Sequence, residues 1–197
     1  MYSQLIEFQR RLQLELEFNG KDPVDGKISE LEFGDLMIAY SGFPESKKQR
    51  MLKRIKKRFR RKKKADENEE AVVAATTSNT TESTGISYEE YRDFHHFLQN
   101  INDVDIALTF FKYGTGGIDA GTLAHAAATV AGVTLSPHLM EVIFTLFDED
   151  QDGMLSNREF ISVMKERLRR GLSRPKDTGF SRIVTALINS LKMQVSF

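Results

Sequence analysis

The chain has 197 residues, 40% hydrophobic and 28% charged, with 28 Lys and Arg against 28 Asp and Glu. That balance fits one or two compact soluble domains with a real hydrophobic core. No cysteine is present, which excludes a disulfide, a zinc–thiolate site and a thiol nucleophile within the chain, and no run of about eighteen apolar residues exists to span a membrane.

The opening residues, MYSQLIEFQRRLQLELEF, read as helix; they have neither the apolar core of a signal peptide nor the acid-poor character of a transit peptide. DPVDGKISELEF follows, and its last six residues set an apolar residue at 28, a capping serine at 29 and an aromatic at 33. Phe33, Leu36, Met37 and Tyr40 then form one helical stripe. Residues 46–64, SKKQRMLKRIKKRFRRKKK, are intensely basic, with Met51, Leu52, Ile55 and Phe59 spaced as a helical face. Over 46–59 the simplest reading is a packed helix whose charges are solvated. Residues 60–64 overrun it, and Lys62, Lys63 and Lys64 read as an electrostatic contact with an anionic membrane or an acidic protein surface. Nucleic acid fits poorly, because no aromatic residues for base stacking are interleaved with these charges. The span 60–85, with ADENEE and AVVAATTSNTTESTG, reads as a low-complexity flexible insertion.

ISYEEY at 86 repeats the pattern of ISELEF. His95 and His96 are adjacent and cannot share one helical face for a metal, so both read as helix surface. Val104, Ala107, Leu108 and Phe111 make another stripe, and IDAGTL at 118 is a third copy of the pattern. The fourth, LSNREF at 155, closes the run FDEDQDGMLSNREF. A twelve-residue calcium loop needs oxygen ligands at positions 1, 3, 5, 7, 9 and 12 and a glycine at 6. Asp148, Asp150, Asp152, the Met154 carbonyl, Ser156 through a water, and Glu159 fill those positions, with Gly153 at the turn. An ordinary acidic turn between helices has no reason to fill every one. Four carboxylates suit a sensor, with Kd about 10⁻⁷ to 10⁻⁵ M. The flanks are helical: Ser136 and Pro137 begin a helix with Leu139, Val142, Ile143 and Leu146 on one face, and Phe160, Val163, Met164 and Leu168 share a face after the loop.

Aligned on the eighth loop position, the four copies give loops 21–32, 79–90, 111–122 and 148–159. The first has Lys21 and Pro23 where acids belong, the second retains Glu90 and little else, and the third, FKYGTGGIDAGT, lacks carboxylates at positions 1, 3, 5 and 12. These three read as structural hands. The fold class that follows is all-α: EF-hand helix–loop–helix repeats, one intact calcium loop and three degenerate ones, plus a C-terminal helix. Pairing in chain order sets loop 111–122 beside loop 148–159, with Ile118 against Leu155. The divisions expected are 1–59, a degenerate hand and basic helix; 60–85, the insertion; 86–172, the lobe with the intact hand; and 173–197, an amphipathic helix carrying Phe180, Ile183, Val184, Leu187, Ile188 and Leu191 on one face. That helix has two seats open to it, the groove of its own lobe or that of a partner.

No nucleophile–base pair, phosphate-cradling glycine loop or second metal cluster argues for an enzyme. Two readings remain: a calcium-sensing regulatory module, and a calcium-binding scaffold whose site is constantly filled and whose client lies elsewhere.

The runs DPVDGKISELEFG, AYSGF, FLQNINDVDIALTFF and FDEDQDGMLSNREFISVMKERLRRGLSRPKDTGF resemble the mitochondrial calcium uptake proteins, regulatory subunits of the calcium uniporter, and in particular the C-terminal half of the family's gatekeeper branch. The likeness covers nearly the whole chain apart from about residues 60–85. It implies a calcium-sensing regulator of uniporter-mediated uptake, peripheral to the inner membrane in the intermembrane space. Its implied partners are a homologous EF-hand paralogue and the channel subunits. The family pattern has two live hands, one in each lobe. The second carries over onto Asp148, Asp150, Asp152, Met154 and Glu159. The family's targeting segment, first live hand and C-terminal cysteine have no counterpart in these residues.

Overall fold

A computed structural model of the chain describes residues 2–73, 85–111 and 117–173. The elements in order are α1 (Tyr2–Asn19), β1 (Lys27–Ile28), α2 (Glu30–Ile38), α3 (Glu45–Val73), β2 (Ile86–Ser87), α4 (Tyr88–Gln99), α5 (Ile101–Phe111), α6 (Ala120–Ala126), α7 (Pro137–Phe147) and α8 (Ser162–Ser173). A π-helical turn, Ala127–Ala131, extends α6, and another, Asn157–Ile161, leads into α8. The fold is all-α and built of EF-hands, as expected. The tail from residue 174 lies outside the described residues, and so does the expected C-terminal helix.

The hands pair in chain order. β1 and β2 join the first two antiparallel, with Ile28 opposite Ile86. Ile118 and Leu155 form the antiparallel bridge between the third and fourth, with N–H···O distances of 3.0 and 2.8 Å. These isoleucines and the leucine are fully buried. Each pair therefore contributes a minimal sheet whose side chains enter the core.

The exit helices begin with a shared device. Ser29 accepts from the Glu32 N–H while Glu32 accepts from the Ser29 N–H, and Ser87 and Glu90 repeat the arrangement. Asp119 caps α6 by accepting from the Thr122 N–H at 2.6 Å. A reciprocal box of this kind satisfies N–H groups that the helix cannot bond to itself. The two degenerate loops that keep a glutamate at position 12 thus use it to start a helix.

A chain of rings joins the first hand to the fourth. Phe18 and Phe33 flank Tyr91, Phe33 packs on Phe94, Phe94 stacks on Phe97 at 5.8 Å, and Phe97 stacks on Phe160 at 6.2 Å. Phe160 in turn meets Phe147 edge-on at 5.5 Å, closing the fourth hand on itself. Met51, Ile55 and Phe59 seat the apolar face of α3 in the same core, which α2 and α7 share.

Two expectations meet the structure differently. Helix α3 runs on to Val73, through residues 60–73 of the span expected as a flexible insertion. The physical reason is local: RRKKKADENEEAVV contains neither glycine nor proline, and Lys62 and Asp66 stand four apart, a spacing that favours helix. His95, expected at the surface, lies part-buried under α8, with its ring 4.6 Å from that of Tyr91; His96 is exposed.

Removing a ring from the middle of the aromatic chain tests whether the two pairs of hands share one core. Phe97→Ala should cost about 3–5 kcal/mol. Urea unfolding followed by far-ultraviolet dichroism and by tyrosine fluorescence should give coincident single transitions for both wild type and variant.

Candidate metal centre

The loop between α7 and α8 folds around its own carboxylates. Asp148 accepts from the Gln151 N–H at 2.7 Å and, through its other oxygen, from the Gly153 N–H at 3.0 Å. Asp150 and Asp152 accept from the N–H groups of Asp152 and Met154, at 3.4 and 2.7 Å. Each aspartate thus bends the backbone that follows it, which is why short acidic side chains favour such turns. Gln151 and Gly153 take positive φ angles, 61° and 79°. A glycine does so without steric cost.

The result gathers one oxygen from each of Asp148, Asp150 and Asp152 within 4.8 Å of one another, and among the described residues this is the cluster of metal-ligating side chains that forms. Asp148 is 8% exposed, while Asp150 and Asp152 face solvent. Three carboxylate oxygens converging from alternate positions are hard ligands and fit a hard divalent cation.

Glu159 completes the loop from the start of the exit helix. Its Oε2 accepts from the Ser156 N–H at 2.9 Å, and its own N–H donates to the Ser156 hydroxyl at 3.2 Å, the same capping box as in the first two hands. Its Oε1 accepts from the Glu149 N–H at 3.1 Å, across to position 2 of the loop. Burial pushes the Glu159 carboxyl up, but the hydrogen bonds from Ser156 and Glu149 and the Lys47 charge outweigh it and leave the pKa below the ordinary value. The carboxylate is therefore ionised and already spans both ends of the loop.

The degenerate third hand supports this loop from behind. Gly117 packs so closely on Met154, the position 7 residue, that a Cβ at Gly117 would stand 2.7 Å from the Met154 Cβ. Sequence reading placed Gly117 in a dead loop and missed that role; its position, one residue before the bridging Ile118, was the available signal. Loop position 2 also meets α3 of the first pair of hands: Lys47 pairs with Glu149 at 2.8 Å. Nothing local in SKKQR marked that lysine, because its partner is 102 residues away.

On the other side of the hand, α8 inserts a buried arginine. The Arg167 guanidinium donates to the Leu36 carbonyl, lies 3.6 Å from Glu17 and 3.3 Å from His95 Nε2, and faces the Tyr40 ring at 5.8 Å. Tyr91 donates to Glu17 at 2.8 Å. Burial drives the His95 imidazole well below its usual pKa, and the Arg167 charge adds to the effect. Burial likewise raises the Tyr91 hydroxyl, with the Glu17 charge adding to it. Exit helix α8 is thus tied to α1, α2 and α4 by one charged cluster.

Residues 114–167 match the family model described as an EF-hand domain pair. Calcium uptake protein 1, mitochondrial, of Danio rerio is 44% identical over 188 residues, which is 94% of this chain and 34% of that protein. The crystal structure of EFHA2 in its apo state superposes with a TM-score of 0.64 at 28% identity, covering 86% of this chain and 48% of that one. EFHA2 in its calcium-binding state gives 0.53 at 28% identity, covering 75% and 41%. The chain spans about a third of the length of the curated relatives it matches.

The depressed pKa of His95 has a thermodynamic consequence. Folded His95 stays neutral where an unfolded histidine, with a pKa near 6.5, takes up a proton. Its contribution to stability is therefore complete above that value and is lost as pH falls from there toward the depressed folded pKa. The urea midpoint should drop between pH 7.5 and 5.5, and His95→Gln should flatten that dependence; equal slopes for the two proteins would contradict the assignment.

Proposed function

Because the chain belongs to the mitochondrial calcium uptake protein family, we propose that it is a calcium-sensing regulatory subunit controlling uptake through the uniporter by rearrangement of its fourth hand. The observation that carries the reading is the convergence of the Asp148, Asp150 and Asp152 oxygens in a loop that Glu159 closes. Asp148, Asp150, Asp152, the Met154 carbonyl and Glu159 would hold the ion, with Ser156 acting through a water. Calcium, when bound, supplies the two positive charges that these carboxylates otherwise balance against backbone N–H groups.

Glu159 is the ligand that connects the loop to the rest of the molecule. It sits in the turn that begins the exit helix, so any reorientation of its carboxylate away from Ser156 and Glu149 acts on α8. Helix α8 carries Arg167 into the cluster with Glu17, Leu36 and His95. A shift there alters α1 and α2, elements far from the loop in sequence. The surface so changed is the one a partner would read.

The partners proposed are a homologous EF-hand paralogue and the uniporter channel subunits, met in the intermembrane space at the inner membrane. No helix among the described residues is long and apolar enough to cross a membrane, which suits a peripheral subunit. Lys62, Lys63 and Lys64, on the extended part of α3, are proposed to contact an anionic membrane or an acidic protein surface.

Glu159→Gln should move the calcium Kd out of the sensor range of about 10⁻⁷ to 10⁻⁵ M while leaving the helix content unchanged. Calorimetric titration with calcium, repeated in magnesium at millimolar concentration, checks both the ligand and the reading. A site already filled by magnesium would point instead to a structural ion in a scaffold. In cells lacking the gatekeeper, the chain directed to the intermembrane space should suppress mitochondrial uptake at resting calcium and permit it when calcium rises. Unchanged uptake with stable expression would refute independent gating.

A further inference from the structure

We propose that α3 sets the calcium affinity of the fourth hand, with Lys47 holding it down by engaging Glu149 at position 2 of the loop; this rests on the calcium reading above. Three side chains from one face of α3 reach the entering side of the hand. Lys47 Nζ lies 2.8 Å from Glu149 Oε2, Arg54 Nη2 donates to the Leu146 carbonyl at 2.7 Å, and Arg58 lies 3.0 Å from Glu141. Arg54 Nη1 also reaches the Glu149 carbonyl at 3.4 Å. These contacts cover α7 from its middle to its C-terminal end and continue into the loop. Lys47 is further positioned over the Phe43 ring, 4.5 Å from its centroid.

The electrostatic consequence follows from where Glu149 sits. It lies between the ligands Asp148 and Asp150, so its carboxylate adds to the negative field at the ion without being one of the six ligand positions. Lys47 offsets that charge from 2.8 Å away. A divalent cation feels each fixed positive charge with twice the energy of a monovalent one. Lys47 therefore favours the ion-free loop: it neutralises Glu149 and its charge repels an incoming cation. Arg54 acts on the helix, since a cation at the last carbonyls of α7 complements the helix dipole. With α7 held in this way, rearrangement of the hand falls to the exit side, where Glu159 and Arg167 are.

Calorimetric titration of the full chain with calcium chloride tests the idea. In about 20 mM potassium chloride, Lys47→Gln should bind calcium roughly three- to tenfold more tightly than wild type. Raising the salt to about 0.5 M should shrink that gain, because the side chains involved are partly exposed and screened. Lys47→Arg keeps the charge and should restore the wild-type affinity. Lys53→Gln, at an exposed position of the same helix with the same loss of charge, should change affinity by less than about twofold. The gain from Lys47→Gln should also fall when Glu149→Gln is already present. Wild-type affinity in the folded Lys47→Gln chain, or weaker binding, would overturn the role of Lys47 while leaving the calcium site standing. A wild-type chain that takes up no calcium would overturn the site itself.

Discussion

Crowding of like charge is the constraint around which this molecule is arranged. Asp148, Asp150 and Asp152 hold carboxylate oxygens within 4.8 Å of one another, and Glu159 closes the loop beside them. Five anionic side chains in twelve residues, Glu149 included, repel unless something answers them. Here the loop's own N–H groups do most of the answering, at Gln151, Asp152, Gly153, Met154, Ser156 and Glu149. That solution requires the backbone to bend sharply, and Gln151 and Gly153 take the positive φ angles it needs. The three aspartate oxygens are thereby brought together, while Glu159, outside that cluster, serves as a helix cap.

A loop so occupied cannot also hold its two helices in place, and the degenerate hands supply that support. The third hand does so at close range, through the Ile118–Leu155 bridge and the approach of Gly117 to Met154. The first two act at a distance. Their helix α3 fastens α7 by Arg54 and Arg58, while α1, α2 and α4 receive Arg167 from α8. The entering and exit helices of the live hand thus report to different parts of the molecule. A buried arginine is costly unless its hydrogen bonds and charge are met, so Arg167 fixes α8 against α1, α2 and α4. The stacked rings of Phe97 and Phe160 run beside it through the same core.

Much of this was written locally in the residues. The period of apolar residues in 137–147, the Ser136–Pro137 start, the twelve positions of the loop and the fourfold recurrence of its second half each reflect interactions within a few residues. Hydrogen bonds from an aspartate to the next turn, and the conformational freedom of Gly153, do not depend on what packs nearby. The bridge between Ile118 and Leu155 was legible for the same reason: once two loops are aligned, symmetry pairs their eighth positions. The extent of α3 beyond residue 60 was legible too in principle, since helix-forming residues without glycine or proline continue there.

What only the tertiary structure decided is which charges are partners. Lys47 and Lys53 are equivalent as letters in a basic run, yet one grips the calcium loop and the other faces solvent. Arg167 and Arg169 are two residues apart, and one is buried against Glu17 while the other is exposed beside Glu166. His95 and His96 divide in the same way. The sequence by itself determined the hands and their pairing, because turns, caps and helical faces are set by neighbours along the chain. It left open which charged side chains join the four hands, because a long charged side chain takes its meaning from whatever the packing of distant helices brings within about 4 Å of it.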